Sequence, residues 1–505
     1  MALPEYNQAA GRKTPAPTGM RSLIQGVATA HTPESLTAQL RAGHSPVVLL
    51  RTGQFDSSAA RYSLVVAQPF LVFRSFGSRC ETCRTDGSRM ETQFGNPWHL
   101  LDALMSRYEL LEEIDWPFPL GGAFGYWGYD LKHFTEPKLP RRAMNDLSLP
   151  DCHVGFFDSL VVFDHHLDTV TVISTGLDVD GSRSPSRASA QAEFWAAQLA
   201  TPPVTSPRSL STPAATSAIG VRANLSRAEF LAAVERAQQY IRAGDIYQVN
   251  LSQRLTAPVS CSGWELFERL AAVSPAPFAA YLSADGGADC GPFEIASSSP
   301  EQFLRLSGAQ VVTRPIKGTR PRHAETTRDA QLAYELQTSP KELAELVMIT
   351  DLLRNDLGKI CEYGSVQTPA LAQLEKFAQV QHLVSTVEGR LRGEMTHLGA
   401  LAFCFPGGSI TGAPKFRAME IIDELEPIAR GPYCGAIGYL GFNRESQLSI
   451  TIRTAITLAG TAYFAVGAGI VADSIPAAEY QETIDKARGF FEAMGQNPKS
   501  DRRKH

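Results

Sequence analysis

Short apolar runs separated by turn residues dominate residues 22–177. Pro46-Val47-Val48-Leu49-Leu50, Tyr62-Ser63-Leu64-Val65-Val66, Phe70-Leu71-Val72-Phe73 and Leu160-Val161-Val162-Phe163 are rich in β-branched and aromatic side chains. Their length and composition predict strands. The period changes at Ser226. Ser226 and Glu229 have capping-box spacing, and Phe230, Val234 and Ile241 then recur on one helical face. Strands are expected around 247–251 and 311–313, helices over about 340–356, 415–425 and 476–494, and closing strands near 436–442, 448–456 and 463–466. These elements do not alternate as regular βαβ units, so the fold class is α+β.

Between the two patterned regions, residues 178–222 shift to Ser, Pro, Ala, Thr and Arg. They read as a linker or surface excursion, with a short helix near Phe194-Trp195. The implied organisation is a polar, disordered leader over 1–21, a first unit over 22–177, the linker over 178–222, a second unit over 223–495 and a basic tail over 496–505. A net charge of −5 gives no electrostatic case for nucleic acid or an anionic membrane as partner, although a few focused cations would suffice for a small acidic ligand. No apolar run is long enough to cross a bilayer, and no signal peptide is evident. The eight cysteines follow no regular spacing, which suits a reduced, cytoplasmic setting. Cys80 and Cys83 form one CxxC without a second ligand pair, leaving a metal or redox role open beside two incidental thiols.

Four features could carry chemistry. Glu342 and Glu345 follow Ser339-Pro340, and Glu479 and Glu482 follow Pro476, each pair spaced to share a helical face. They are either solvated surface or, on two facing helices, oxygen ligands for a hard divalent cation such as Mg²⁺, which takes one or two carboxylates directly and keeps waters. Lys317 lies among Arg314, Arg320 and Arg322. Neighbouring positive charge would favour its neutral, nucleophilic form; the alternatives are an anion site or a basic strand end in solvent. Gly467-Ala468-Gly469 fits a GxGxxA pattern, but Pro476 interrupts the helix a dinucleotide fold requires, so backbone N–H groups approaching an anion are the better reading. The glycine-rich turn Phe405–Lys415, with Ser409, could also seat an anion, and His382 in an apolar run is by default a satisfied core histidine.

In this order the motifs resemble those of the chorismate-utilising enzymes, which include the large subunits of anthranilate and aminodeoxychorismate synthases and the isochorismate and salicylate synthases. The resemblance rests on Asp245–Ser252, Ser299-Pro300-Glu301, Pro315–Thr319, Asp351–Asp356, His382–Ser385, Gly412–Lys415 and Ala472-Asp473-Ser474, and more loosely on Arg61-Tyr62-Ser63 and Gly125-Tyr126 in the first unit. It implies an anthranilate synthase component I-like fold, two large antiparallel sheets in a sandwich surrounded by helices. It implies Glu345 and Glu482 as direct Mg²⁺ ligands with Glu342 and Glu479 behind them. Tyr433, Arg453, Gly467, Gly469, Ser409 and Lys486 would bind chorismate. Glu301 would be the general acid/base, and His382 would lie beside the departing C4 hydroxyl. Lys317 resembles the covalent nucleophile of the aminodeoxychorismate synthases, where anthranilate synthases usually have alanine. Gln248 stands where the hydroxylating members carry a water-activating lysine. No Gly-x-Cys-x-Gly elbow is present, so the resemblance implies a separate glutamine amidotransferase subunit supplying ammonia within a heterodimer. The remaining alternatives are anthranilate synthesis and a non-catalytic binding subunit. The segment reading Leu-Leu-Glu-Ser in tryptophan-binding members is Leu49-Leu50-Arg51-Thr52 here, a departure from the family pattern.

Overall fold

The computed structural model describes residues 20–43, 46–52, 61–84, 88–203, 220–376 and 380–495. The expected leader up to residue 19 and the expected basic tail lie outside the described residues. The rest forms two antiparallel sheets, each of 12 strands among the described residues. This is the sandwich expected from the sequence.

Both sheets draw strands from both patterned regions. In the first sheet, Val47–Arg51 pairs with Phe278–Asp285, placing Leu49 opposite Tyr281. In the second, Gly122–Trp127 pairs with Ala436–Gly441, placing Gly125 opposite Gly438. The strands alternate their side chains across each sheet, and the inward set (Phe70, Tyr108, Phe124, Phe156, Phe293, Ile295, Leu448 and their neighbours) makes the large shared core. A second cluster around Trp195, Trp264, Phe267, Phe464 and Phe490 lies under helices on the other face of the first sheet.

Within the segment read as a linker, the helix expected near Phe194-Trp195 is present and longer than expected. Pro185–Ala200 is a 16-residue helix capped by Ser184. Trp195 is fully buried, and its indole N–H donates to Ser159 Oγ at 3.0 Å. Ala188, Ala192, Trp195 and Leu199 make a buried stripe diluted by alanine, so its length was less evident than its presence. Two further elements divide. The expected helix over 476–494 is Pro476–Lys486 followed by Arg488–Ala493, the second piece turning to stack Phe490 on Phe464 at 4.7 Å. The expected strand over 448–456 is Glu445–Ile450 in one sheet and Thr454–Leu458 in the other.

No described helix is long and apolar enough to cross a membrane. Cys80 and Cys83 lie buried on the Arg79–Cys83 strand, and burial pushes the Cys80 thiol up to about 12, which keeps it protonated. Among the described residues no three His, Cys, Asp or Glu side chains gather as a closed metal site.

Candidate active site

Two crossings between the sheets carry Glu301 and Arg453. Glu301 joins Pro292–Ser299 of the first sheet to Gln302–Ser307 of the second. Arg453 joins Glu445–Ile450 of the second to Thr454–Leu458 of the first. The crossings bond to each other: Ile450 N–H donates to Glu301 O at 3.1 Å, Ser298 N–H donates to Arg453 O at 3.0 Å, and Ser299 Oγ donates to Ile450 O at 2.6 Å. Arg453 holds a left-handed backbone with φ of 52°. For an arginine this costs about 1–3 kcal/mol, which the surrounding pairing must offset.

Glu301 is 7 % exposed. Burial lifts its carboxyl to about 7, against the opposing effects of the Ser409 hydrogen bond and the Lys317 and Lys486 charges. Ser409 lies on the tight turn Gly408–Ile410. Lys415 turns back into the loop, donating to Cys404 O and Pro406 O, both at 2.9 Å, and to the Asp356 carboxylate. The loop is thus a mount that holds Ser409 against Glu301.

Lys317 is on the strand Ile316–Pro321, opposite Leu383 of Val380–Arg390. A bulge follows it, and Gly318 has φ of 65°. A Cβ at Gly318 would lie 2.5 Å from Leu336 Cδ1 and 3.0 Å from Glu342 Oε2, so glycine lets the strand press against the helices Thr326–Gln337 and Pro340–Gly358. Gly318→Ala is therefore expected to destabilise the fold by about 1–3 kcal/mol and to displace Lys317; a melting temperature equal to wild type would refute the strain argument. Lys317 Nζ is 3.6 Å from Glu345 Oε2 on that helix. The arginines that made this segment look locally positive each have an acid: Arg314 pairs with Glu375, Arg320 with Glu342 at 3.6 Å, and Arg322 with Asp329 at 2.9 Å. The expected cationic surroundings are thus neutralised, and a carboxylate is close to the amine instead.

His382, on the neighbouring strand, is 8 % exposed, with Nδ1 2.9 Å from Thr319 Oγ1. Burial is the main cause that takes the ring down to about 4, so it is neutral at pH 7.

Gly467 and Gly469 are on the long strand Thr461–Ile470. They face Ser252 and Asn250 of Gln248–Pro258. The N–H groups of those two residues go to Glu426 Oε1 and Thr411 O, pointing away from the glycines. Antiparallel pairing then turns the glycine amides the other way, to the side where Thr454–Leu458 has already ended. A Cβ at Gly467 would lie 3.0 Å from both Asn250 Nδ2 and Tyr433 Oη, and one at Gly469 would lie 2.8 Å from Gln248 Nε2 and 3.7 Å from Lys317 Nζ. Lys317, from the second sheet, therefore reaches the glycine strand of the first. Lys486 Nζ donates to Gly467 O at 2.8 Å and pairs with Glu482 at 2.7 Å.

The two glutamate pairs lie on Pro340–Gly358 and Pro476–Lys486. Lys341 lies 3.9 Å from Glu345 and its charge also acts on Glu479 and Glu482, so the helices face each other. Burial raises Glu479, which accepts from Ser474 Oγ at 2.7 Å. Burial also pushes Glu482 upward, but Lys486 outweighs it and the net effect is a lowered carboxyl.

A family model described as chorismate binding enzyme matches residues 55–492. The chain belongs to the chorismate-binding enzyme family. It is 42 % identical over 448 residues to aminodeoxychorismate synthase component 1 of Klebsiella aerogenes, covering 88 % of this chain and 93 % of the relative. It is 39 % identical over 451 residues to anthranilate synthase component 1 of Acetivibrio thermocellus, covering 88 % and 89 %. Among solved structures, anthranilate synthase component I of Streptococcus pneumoniae superposes with a TM-score of 0.73 at 32 % identity, covering 86 % of this chain and 93 % of that one.

In this chorismate-binding enzyme, residues without an assigned role in the sequence reading also frame the site. Arg430 is buried, bonded to Glu426 at 2.6 Å and donating to Asn250 O at 2.8 Å and Ile410 O at 3.0 Å. Glu426 in turn accepts from Ser252 Oγ at 2.9 Å.

Proposed function

We propose that this enzyme converts chorismate and ammonia to 4-amino-4-deoxychorismate, the precursor of 4-aminobenzoate, through a covalent intermediate on Lys317. The observation that carries the reading is the position of Lys317 Nζ, beside Glu345 and the Gly469 strand, with Gln248 rather than a lysine facing the same glycine. The amine lone pair bonds to C2, the ring double bonds shift, and the C4–O bond breaks. Glu301, protonated up to about pH 7, gives the departing hydroxyl its proton, and neutral His382 lies beside that group. Ammonia then bonds at C4, the double bonds return, and the C2–N bond to lysine breaks, restoring the amine. Two displacements replace one difficult substitution.

Arg453, Tyr433 and the Gly467 and Gly469 amides bind the enolpyruvyl carboxylate, and Ser409 and Lys486 are further substrate contacts. Glu345 and Glu482 would hold Mg²⁺, with Glu342 and Glu479 behind them. Carboxylate oxygens on facing helices, balanced by Lys317, Lys341, Arg320, Lys486 and Ser474, are donors that suit a hard cation keeping most of its waters. When bound, Mg²⁺ supplies neutralisation of the ring carboxylate. A glutamine amidotransferase subunit provides ammonia in the cytoplasm, in keeping with the "component 1" names of the relatives.

The test is mass spectrometry of the product from chorismate, Mg²⁺ and an ammonium salt. The 4-amino product with pyruvate retained is expected, and chelation of the metal is expected to abolish it. The similarity to the Acetivibrio anthranilate synthase keeps a second reading, ortho amination with pyruvate release. Anthranilate as the product would establish that one instead.

A further inference from the structure

Asn250 and Gln248 each bury a side-chain polar atom without a partner at the glycine strand, and Asn250 is the one beside Gly467. It is 8 % exposed, and its amide nitrogen Nδ2 is buried with no hydrogen-bond partner. Its backbone is fixed on both sides, the N–H donating to Thr411 O at 2.8 Å and the carbonyl accepting from Arg430 at 2.8 Å. The side chain therefore cannot move far to find a partner. A buried amide donor left unpaired costs free energy. Nδ2 and the Tyr433 hydroxyl lie 3.0 Å from the same point over Gly467, where the missing Cβ leaves room. Arg453, whose charge interacts with Tyr433, is half-buried nearby. Three donors of different kinds thus converge over Gly467, where the nearest acceptor is the backbone carbonyl of Leu251, 2.8 Å from the same point. A carboxylate has two oxygens with about four acceptor sites, enough for all three.

We propose that Asn250 is a substrate-binding residue whose amide N–H completes the pocket for the side-chain carboxylate of the substrate, alongside Arg453 and Tyr433. This rests on chorismate being the substrate. The orphan donor is a stability cost in the free enzyme that the bound carboxylate removes. Asn250 thereby makes the pocket selective for a ligand carrying that second carboxylate over a ring acid that lacks it.

The experiment compares wild type with Asn250→Val and Asn250→Ser in the full chain with Mg²⁺. Binding is measured by calorimetry for chorismate and for a cyclohexadiene carboxylate without the enolpyruvyl group. Asn250→Val is expected to raise the melting temperature of the free enzyme. It should weaken chorismate about 10- to 100-fold, as for loss of a hydrogen bond to a charged group, and leave the truncated ligand unchanged. Asn250→Ser, which keeps a donor, should recover part of the loss. Equal weakening of both ligands would show a structural role and overturn the proposal. So would unchanged chorismate affinity, or a lowered melting temperature with the truncated ligand also weakened. Failure of the wild type itself to bind chorismate would count against the substrate assignment rather than against Asn250.

Discussion

Lys317→Ala is expected to lower conversion of chorismate to its 4-amino product by about 10³-fold, equivalent to roughly 4 kcal/mol of transition-state stabilisation. The amine is placed to act, 3.6 Å from Glu345 and facing Gly469, and alanine leaves nothing that can bond to C2. The fold should tolerate the change. Lys317 is on an edge strand, and Lys341 remains near Glu345. The covalent step also predicts a mass. With ammonia withheld, wild-type enzyme mixed with chorismate should gain the mass of chorismate less one water, and Lys317→Ala should gain nothing. Normal turnover in the variant removes lysine from the mechanism, whatever the fate of the metal and substrate assignments. An ortho-amino product from the variant would instead show that the lysine directs where nitrogen enters.

Replacing Glu301 by glutamine keeps the shape and removes the proton, and should cost about 10²–10⁴-fold in kcat/KM near neutrality. The pH profile tests the role more sharply. Burial holds the Glu301 carboxyl at about 7, above the ordinary range for glutamate. As the acid that protonates the leaving hydroxyl it must carry its proton, so wild-type kcat/KM should fall as pH rises through about 7. That limb should vanish in Glu301→Gln. The profile has to be taken at constant free ammonia, because the ammonia fraction of an ammonium salt grows with pH and would mask the fall. A limb of opposite sign would make Glu301 the general base for the chemical step that limits the rate. An unchanged profile in the glutamine variant would take Glu301 out of proton transfer altogether.

The local chemistry of the chain reached a long way. Helix starts at Ser226, Ser339-Pro340 and Pro476 follow from caps and prolines that act within one turn, and they appear where expected. Strand-forming runs at Val47, Tyr62, Leu71 and Ser159 likewise become strands, because β-branching and alternation are short-range properties. The helix at Trp195 was expected to be short and runs to 16 residues, because alanine fills the other positions of its buried stripe. The order of motifs was sufficient to place the chain in its family, and the family model bears that out.

What residue order could not provide was adjacency. Glu301 and Arg453 are separated by most of the second unit, and only the sheet pairing makes their crossings neighbours. The apolar run around Leu448–Ile456 looks like one strand until the chain changes sheets at Arg453. Arg314, Arg320 and Arg322 look like a cationic environment for Lys317 until helices and strands from elsewhere bring Glu375, Glu342 and Asp329 to them. The orphan amide of Asn250 is invisible in a motif, because whether a polar atom has a partner depends on everything packed around it. Sequence alone determined the elements and the family, since those depend on contacts within a few residues and on the order of motifs. Tertiary structure decided which charges are neutralised, which donors are left open and where the carboxyl of Glu301 titrates, since burial and electrostatics are set by groups far apart in the chain.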